Sequence, residues 1–166
     1  MSRTPVARTT PTAVRDLFGR AKVVIGVIHC LPLPGAPDHD GRPMAEIVDH
    51  ALDEAERYRA AGVDGLIVEN HGDIPFLKPD DIGHETVAAM SVLVHRVRAQ
   101  TGLPVGVSVL ANGALPGLAV AAAGEAGFIR VNQWANAYVA NEGFVEGPAA
   151  KAQIGRASCR ERVYTK

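Results

Sequence analysis

The stretch PVGVSVLANGALPGLAVAAAGEAGFIRVN, residues 104–132, is the part of the sequence most informative about the fold. It opens with a valine-rich run behind Pro104, passes through an apolar segment of helical length, and closes with a second apolar run behind Gly127. Two short β-branched runs on either side of a helix-length segment predict a βαβ unit, whose strands are parallel and whose crossover is right-handed.

The same alternation continues towards the N-terminus. Apolar residues at helical spacing over Ile47–Tyr58 and again over Val87–Val97 predict two more helices. In all, four apolar runs predict strands: Lys22–His29, Gly65–Asn70, Pro104–Leu110 and Gly127–Asn132. Repeated βα units of this kind form a parallel sheet, in either a doubly wound fold or a barrel.

Polar residues inside the predicted strands favour the barrel. Glu69 follows Ile67, Ser108 follows Gly106, and Arg130 follows Phe128, each at an alternate position. One face of each strand is therefore polar near its C-terminal end, whereas a doubly wound sheet more often reads apolar throughout. We predict an α/β fold of the (β/α)8 TIM-barrel type with only about the first four βα units, because complete barrels have about 250 residues.

Three regions follow from this reading. Residues 1–20 form an N-terminal extension whose segment Thr12–Gly19 is expected to be a short helix covering the bottom of the barrel. Residues 21–152 form half of the barrel. Residues 153–166 change abruptly in composition, and from Ile154 the string IGRASCRERVYTK resembles a translated sequencing adapter. We interpret them as a non-native tail; an ordinary basic tail is the alternative.

Composition narrows the functional classes. The net charge is −1, with acids and bases interspersed, which argues against a nucleic-acid partner. No run of about 18 apolar residues occurs and the N-terminus lacks an apolar signal segment, so we expect no transmembrane segment and a cytoplasmic location. Cys30 and Cys159 stand in no C-x-x-C pair, which fits a reducing compartment. The cofactor, if any, is unknown from the sequence.

The residues that follow each strand are the candidates for chemistry, since the active sites of such barrels lie at the C-terminal strand ends. His29, Glu69 and Asp73 are the candidate catalytic residues, as an acid/base set. Together with His71 they could instead ligate a divalent metal, but no H-x-H or HExxH pair is present. A hydrogen-bonded structural role is favoured over metal ligation, so no metal site is predicted.

A second group of residues suits ligand binding. Arg130, with Asn112 and Asn132, could bind an anionic or polyhydroxylated ligand, because a guanidinium matches carboxylates and phosphates. A buried ion pair between Glu69 and Arg130 is an equally good reading. Glu142 and Glu146 flank Gly143 in a long segment after the fourth strand, residues 132–147, which is predicted to be a loop. They are either acids of the site or, as we favour, solvated charges. Trp134 and Tyr138 either stack on a ligand or, as favoured, pack the loop.

Five motifs carry a resemblance to a known family. They are KVVIGVIHCLPLPGAP, GVDGLIVENHGDIPF, ETVAAMSVLVHRVR, the 104–132 stretch and NEGFVEG, in that order. Over residues 22 to about 152 the chain resembles the BtpA/SgcQ family. The resemblance implies a TIM-type barrel related to phosphate-binding barrels. One departure is Gln133–Gly143, because relatives more usually carry His and Thr near the start of that segment. The matching polar positions are His29, Glu69, Asn70, Asp73, Asn112, Arg130, Asn132, Glu142 and Glu146.

Two functions remain in competition at this stage. The first is an enzyme, of unassigned reaction, that binds a sugar, a nucleoside or another small molecule, which could be phosphorylated. The second, implied by the family resemblance, is a non-catalytic biogenesis factor for photosystem I or another membrane complex. Buried polar residues at one end of a barrel favour the enzyme, since each costs desolvation unless it is paired or used. Four strands leave two open edges, so we expect the fragment to be inactive alone or to pair with a second copy.

Overall fold

Strands and helices alternate along the chain in the predicted order. The computed structural model describes residues 13–158 and 164–165. The first eight elements are α1 (Ala13–Phe18), β1 (Ile25–His29), α2 (Met44–Ala60), β2 (Gly65–Glu69), α3 (His84–Thr101), β3 (Val105–Ser108), α4 (Ala114–Gly124) and β4 (Phe128–Arg130). They are followed by β5 (Ala137–Ala140), β6 (Gly143–Glu146), α5 (Ala149–Ser158) and β7 (Tyr164–Thr165).

The main sheet is parallel, with strand order β1-β2-β3-β4-β7. Its outer face carries Leu66, Val107 and Ile129, all essentially inaccessible to solvent, in one core with the helices. Fully burying side chains of this size contributes about 1.5–3 kcal/mol each. Val27 and Ile67, on the opposite face, are only half-buried. The predicted α/β class is therefore confirmed, as a parallel sheet alternating with helices that is consistent with part of a TIM-type fold.

The helices face the sheet along the predicted apolar stripes. In α2 the buried residues are Ile47, Val48, Ala51 and Ala55, and in α3 they are Ala89, Met90, Leu93, Val94 and Val97. Helix α3 ends where Gly102 adopts a left-handed conformation, with φ of +65°. A left-handed glycine of this kind is a common end of an α-helix.

Strand β3 presents two small residues to the inner face, and larger residues of β4 lie across them. A Cβ atom added to Gly106 would come within 2.3 Å of the Phe128 ring. One level higher, the Arg130 guanidinium passes Ser108, with 3.4 Å between Nη1 and the serine Oγ. The small side chains of β3 thus leave the space that β4 side chains need to reach towards β2.

Helix α1 packs at the N-terminal ends of the strands. The rings of Phe18 and Phe128 meet edge to face, with centroids 5.7 Å apart. Phe18 also covers Gly65, the first residue of β2, and Leu17 lies against Gly127. This end of the sheet is therefore closed by apolar contacts.

The segment after β4 differs from the prediction. Residues 132–147, predicted to be a loop, contain an antiparallel hairpin in which Tyr138 pairs with Val145 and Val139 with Phe144. The hairpin turns at Asn141 and Glu142, and Gly143 has φ of +91°. Two short strand-like runs, joined by Asn141 and Glu142 and followed by a glycine, are a hairpin signal that the loop prediction overlooked.

The C-terminal segment bears on the predicted boundary at residue 153. Helix α5 extends through Ser158, and Tyr164–Thr165 pairs in parallel with β4. Ala152 in α5 is fully buried. The foreign origin of residues 153–166 stays a prediction, and residues 1–12, 159–163 and 166 lie outside the described residues. Within the described ranges, no helix is long and apolar enough to cross a membrane.

Cys30, directly after β1, is expected to be chemically inert in the folded protein. The residue is buried, and this burial raises the pKa of its thiol to about 12. The negative charge of the nearby Asp73 carboxylate is the second cause of the increase. Because the thiolate is the reactive form, a Cys159→Ser variant should react with a thiol-specific aromatic disulfide only after denaturation. Rapid colour release from the native variant would contradict this burial.

Candidate functional site

Four polar residues form one row across the C-terminal ends of the strands. In the sheet register His29 is paired with Glu69, Glu69 with Ser108, and Ser108 with Arg130. The row lies on the inner face, at a cleft of about 240 Å³ lined by Val27, His29, Ile67, Glu69 and Arg130. The predicted strand parity therefore brings His29, Glu69 and Arg130 together.

Glu69 is the centre of this row. Its Oε2 lies 3.0 Å from Nη1 of Arg130, and its Oε1 lies 3.4 Å from Nε2 of His29. Only 9% of the Glu69 side chain is exposed, against 48% for Arg130 and 55% for His29. The buried carboxylate is thus held by two groups that both remain open to solvent.

This geometry is compatible with both interpretations of Arg130, the ion pair with Glu69 and the binding of a ligand. The ion pair with Glu69 uses Nη1 alone, across a gap of two strand spacings or about 10 Å between backbones. The small Ser108 on the intervening strand permits that crossing. Because about half of the Arg130 side chain is exposed and the ion pair uses Nη1, the other N–H groups of the guanidinium remain available to a ligand.

His29 is also in contact with an aromatic group. Its ring stacks on His71, with centroids 4.3 Å apart and planes 15° from parallel, and His71 in turn meets the edge of Phe76. Stacked imidazoles do not converge on one ion. Within residues 13–158 and 164–165 no three His, Cys, Asp or Glu side chains are grouped to hold a metal.

Asn70 and Asp73 follow β2 and connect three loops through hydrogen bonds. Asn70 Oδ1 accepts a hydrogen bond from the Leu110 amide at 2.7 Å, and its Nδ2 donates to Asp73 Oδ2 at 2.9 Å. Asp73 Oδ1 accepts from the Leu33 amide, also at 2.9 Å. Burial raises the pKa of Asp73, while these hydrogen bonds act in the opposite direction. The two side chains therefore link the loops that follow β1, β2 and β3.

Asn112 plays the corresponding part between β3 and the hairpin. It is fully buried, adopts φ of +56°, and accepts a hydrogen bond from the Gln133 amide at 2.8 Å. Its Nδ2 donates to the carbonyl of Glu146, and its own amide donates to Asn132 Oδ1, both at 3.3 Å. These contacts fix the segment that carries β5 and β6.

The two glutamates of the hairpin differ in their surroundings. Glu146 is exposed, and its described contact with Asn112 is through the backbone. Glu142 lies at the turn of the hairpin. Burial and then the Glu142 carboxylate raise the pKa of Tyr138, while Arg130 lowers it. The phenol of the hairpin is thus subject to the charges of both Glu142 and Arg130.

Comparison with known proteins shows to which family the chain belongs. The sequence model of the BtpA family matches residues 20–164, most of the chain. The chain belongs to the BtpA family. An uncharacterized protein of Archaeoglobus fulgidus is 41% identical over 145 residues, covering 86% of this chain and 57% of that protein. The photosystem I biogenesis protein BtpA of Synechocystis is 40% identical over 126 residues, covering 76% and 43%.

This BtpA-family chain spans about half the length of the curated relatives it matches. An uncharacterized protein of Pyrococcus horikoshii, 41% identical over 128 residues, is covered to 48%. No solved structure matches the chain. The family match ends at residue 164, beyond the predicted domain boundary at 152.

One residue of the row was missing from the candidates that the sequence supplied for this BtpA-family site. Ser108 is fully buried between Glu69 and Arg130. Its signal was its position in the alternation that identified the other two. A single uncharged serine in a valine-rich strand does not stand out as a candidate site residue. Its small size matters here because it leaves room for the Arg130 side chain to reach Glu69.

Proposed function

We propose that this chain is the N-terminal half of a barrel enzyme acting on a small polyhydroxylated molecule, such as a sugar or a nucleoside, or on its phosphorylated, anionic form. The observation that carries the proposal is the Glu69 carboxylate, buried between half-exposed His29 and Arg130. A structural ion pair has no need of an imidazole at the second carboxylate oxygen. An acid/base site does.

The proposed roles follow from these contacts. Glu69 and His29 exchange a proton with the substrate, and the free N–H groups of Arg130 bind its anionic group. Asp73 was predicted to be catalytic; its bonds to Leu33 and Asn70 favour a positioning role instead. The residues assigned here to holding the loops around the ligand are Asn70, Asn112, Asn132 and Glu146.

The proposal includes closure of the barrel by the rest of a longer protein. In β1, Cys30 N bonds to Glu69 O, so the alternate residues Ile25, Val27 and His29 direct their backbone groups away from β2. On that side Tyr58 Oη donates to the Val27 carbonyl at 3.1 Å. Among the described strands none pairs with this edge of β1, and this, together with relatives about twice as long, supports an eight-stranded barrel or pairing with a second copy.

The test is binding of inorganic phosphate to the 166-residue chain, followed by NMR of its backbone amides. Arg130→Gln should weaken binding about 10–100-fold, because a charge-assisted hydrogen bond is worth about 1.5–3 kcal/mol. Arg96→Gln, at an exposed arginine of α3, is the control and should leave binding unchanged. Equal effects of the two substitutions would contradict an anion site at Arg130.

The second candidate is a biogenesis factor without catalysis. It is favoured by one observation, the name of the Synechocystis relative. Such a factor needs no small-molecule site, so wild-type chain that binds neither phosphate nor sugar phosphates would favour it over the enzyme.

A further inference from the structure

One buried acceptor at the hairpin has no hydrogen-bond partner in the part of the chain that the structure describes. Among the described residues, Glu142 Oε2 is the single buried side-chain polar atom without a hydrogen bond. Leaving a buried polar group unpaired costs about 1–3 kcal/mol, and more for a charged one, so such an atom calls for an explanation. A carboxylate oxygen only accepts hydrogen bonds, so the missing partner is a donor.

The position of this acceptor is fixed. The hairpin is held at its base by the Gly147 amide, which donates to the Asn136 carbonyl at 2.7 Å, and by Asn112. At its tip, a Cβ added to Gly143 would lie 3.7 Å from Nζ of Lys78, yet that ammonium does not bond to Glu142 Oε2. The oxygen is therefore unpaired although a lysine ammonium lies against the same turn.

The surroundings connect this acceptor to the strand-end row. The base of the hairpin is bound at the end of β3 through Asn112, and its tip lies against Lys78, in the segment after β2. The hairpin therefore crosses the C-terminal end of the sheet, which is the end at which Arg130 lies. The charges of Glu142 and Arg130 both act on the pKa of Tyr138, in opposite directions.

We propose that the hairpin is the second wall of the ligand site, and that Glu142 accepts a hydrogen bond from a ligand hydroxyl while Arg130 binds the ligand's oxyanion. This inference rests on the proposed function and narrows its substrate class to phosphorylated or carboxylated polyols. A bare anion satisfies Arg130 only, and the nearby carboxylate disfavours it. A molecule that has both an oxyanion and a hydroxyl group binds to Arg130 and to Glu142 at the same time.

The experiment compares two probes, inorganic phosphate and ribose 5-phosphate, by calorimetry on the 166-residue chain. Wild-type chain should bind ribose 5-phosphate at least about 10-fold more tightly, the value of one hydrogen bond to a charged group. Glu142→Leu should reduce this preference to about 2-fold or less and leave phosphate affinity equal or higher. Glu142→Gln, which retains an acceptor, should restore part of the preference. Glu46→Leu, at an exposed glutamate of α2, should change neither.

Thermal unfolding of the unliganded chain tests independently whether Glu142 is unpaired when no ligand is bound. Glu142→Leu removes the unpaired oxygen, so the midpoint should rise by about 3 °C. A lower midpoint together with an unchanged probe preference would overturn the proposal. Phosphate affinity that rises with Mg²⁺ in wild-type chain but not in Glu142→Leu would also overturn it, because the acceptor would then serve a cation.

The two proposals fail in different ways. If phosphate binding does not depend on Arg130, or neither probe binds, the proposed function itself is wrong. If phosphate binding depends on Arg130 while the probe preference ignores Glu142, only the role of the hairpin is wrong.

Discussion

Asn70→Asp should lower the free energy of unfolding by about 3 kcal/mol at pH 7, although the substitution changes a single group of equal size. The new oxygen replaces the nitrogen that donates to Asp73 Oδ2 at 2.9 Å and to the Leu110 carbonyl at 3.4 Å. A donor between two acceptors becomes a third acceptor, in a site where Asn70 is 1% exposed. Urea unfolding followed by circular dichroism measures the loss.

The pH dependence identifies the cause. Burial and the Asp73 carboxylate should raise the pKa of the introduced carboxyl group above its unfolded value of about 3.9. A group with a raised folded pKa binds its proton more tightly in the folded state, so the penalty is full above the folded pKa and disappears below about pH 3.9. The difference from wild type should therefore shrink from pH 7 to pH 4. Asn136→Asp, at an exposed position, is the control and should stay within about 0.5 kcal/mol.

Arg130→Met should destabilise the chain by about 2 kcal/mol, because it leaves the Glu69 carboxylate buried without its cation. Breaking a fully buried pair costs about 3–5 kcal/mol, and the figure is reduced here because half of Arg130 is in solvent. The pair Arg98–Glu125 provides a matched control. Arg98 is 47% exposed, almost as Arg130 is, but Glu125 is 58% exposed where Glu69 is 9%.

The comparison therefore isolates burial of the carboxylate. Arg98→Met should cost no more than about 1 kcal/mol, as is usual for surface pairs. Adding Glu69→Gln to Arg130→Met should recover about half of the loss, since the uncompensated charge is removed. Equal losses for the two arginines, with no recovery in the double variant, would mean that the burial of Glu69 has no energetic consequence.

The order of the elements and the parity of the strands could be predicted because both are local properties. Valine-rich runs and helical stripes each act within a few residues, and the structure confirms the strands and helices that they predict. The parity of Glu69 and Arg130 placed them on one face, because side chains in a strand alternate regardless of its neighbours. The predicted strands were longer than those observed, since apolar residues such as Leu110 continue into buried loops.

The roles of the polar residues depend on contacts that no local pattern encodes. Asn70 and Asn112 look alike in the sequence, each at a strand end, yet one links loops through Asp73 and the other anchors the hairpin. Their partners Leu110 and Glu146 lie 40 and 34 residues away. The unpaired state of Glu142 was equally inaccessible, because it depends on burial by the folded hairpin.

The contact of Phe18 with Phe128 joins α1 to a strand that the ribosome synthesises much later. Roughly 110 residues separate the two rings, and at roughly 5–20 residues per second the ribosome needs on the order of ten seconds to translate that stretch. The docking surface for α1 is incomplete until β4 has emerged. We therefore expect α1 to dock only after β4 has been synthesised, so that Leu17 and Phe18 stay uncovered until then.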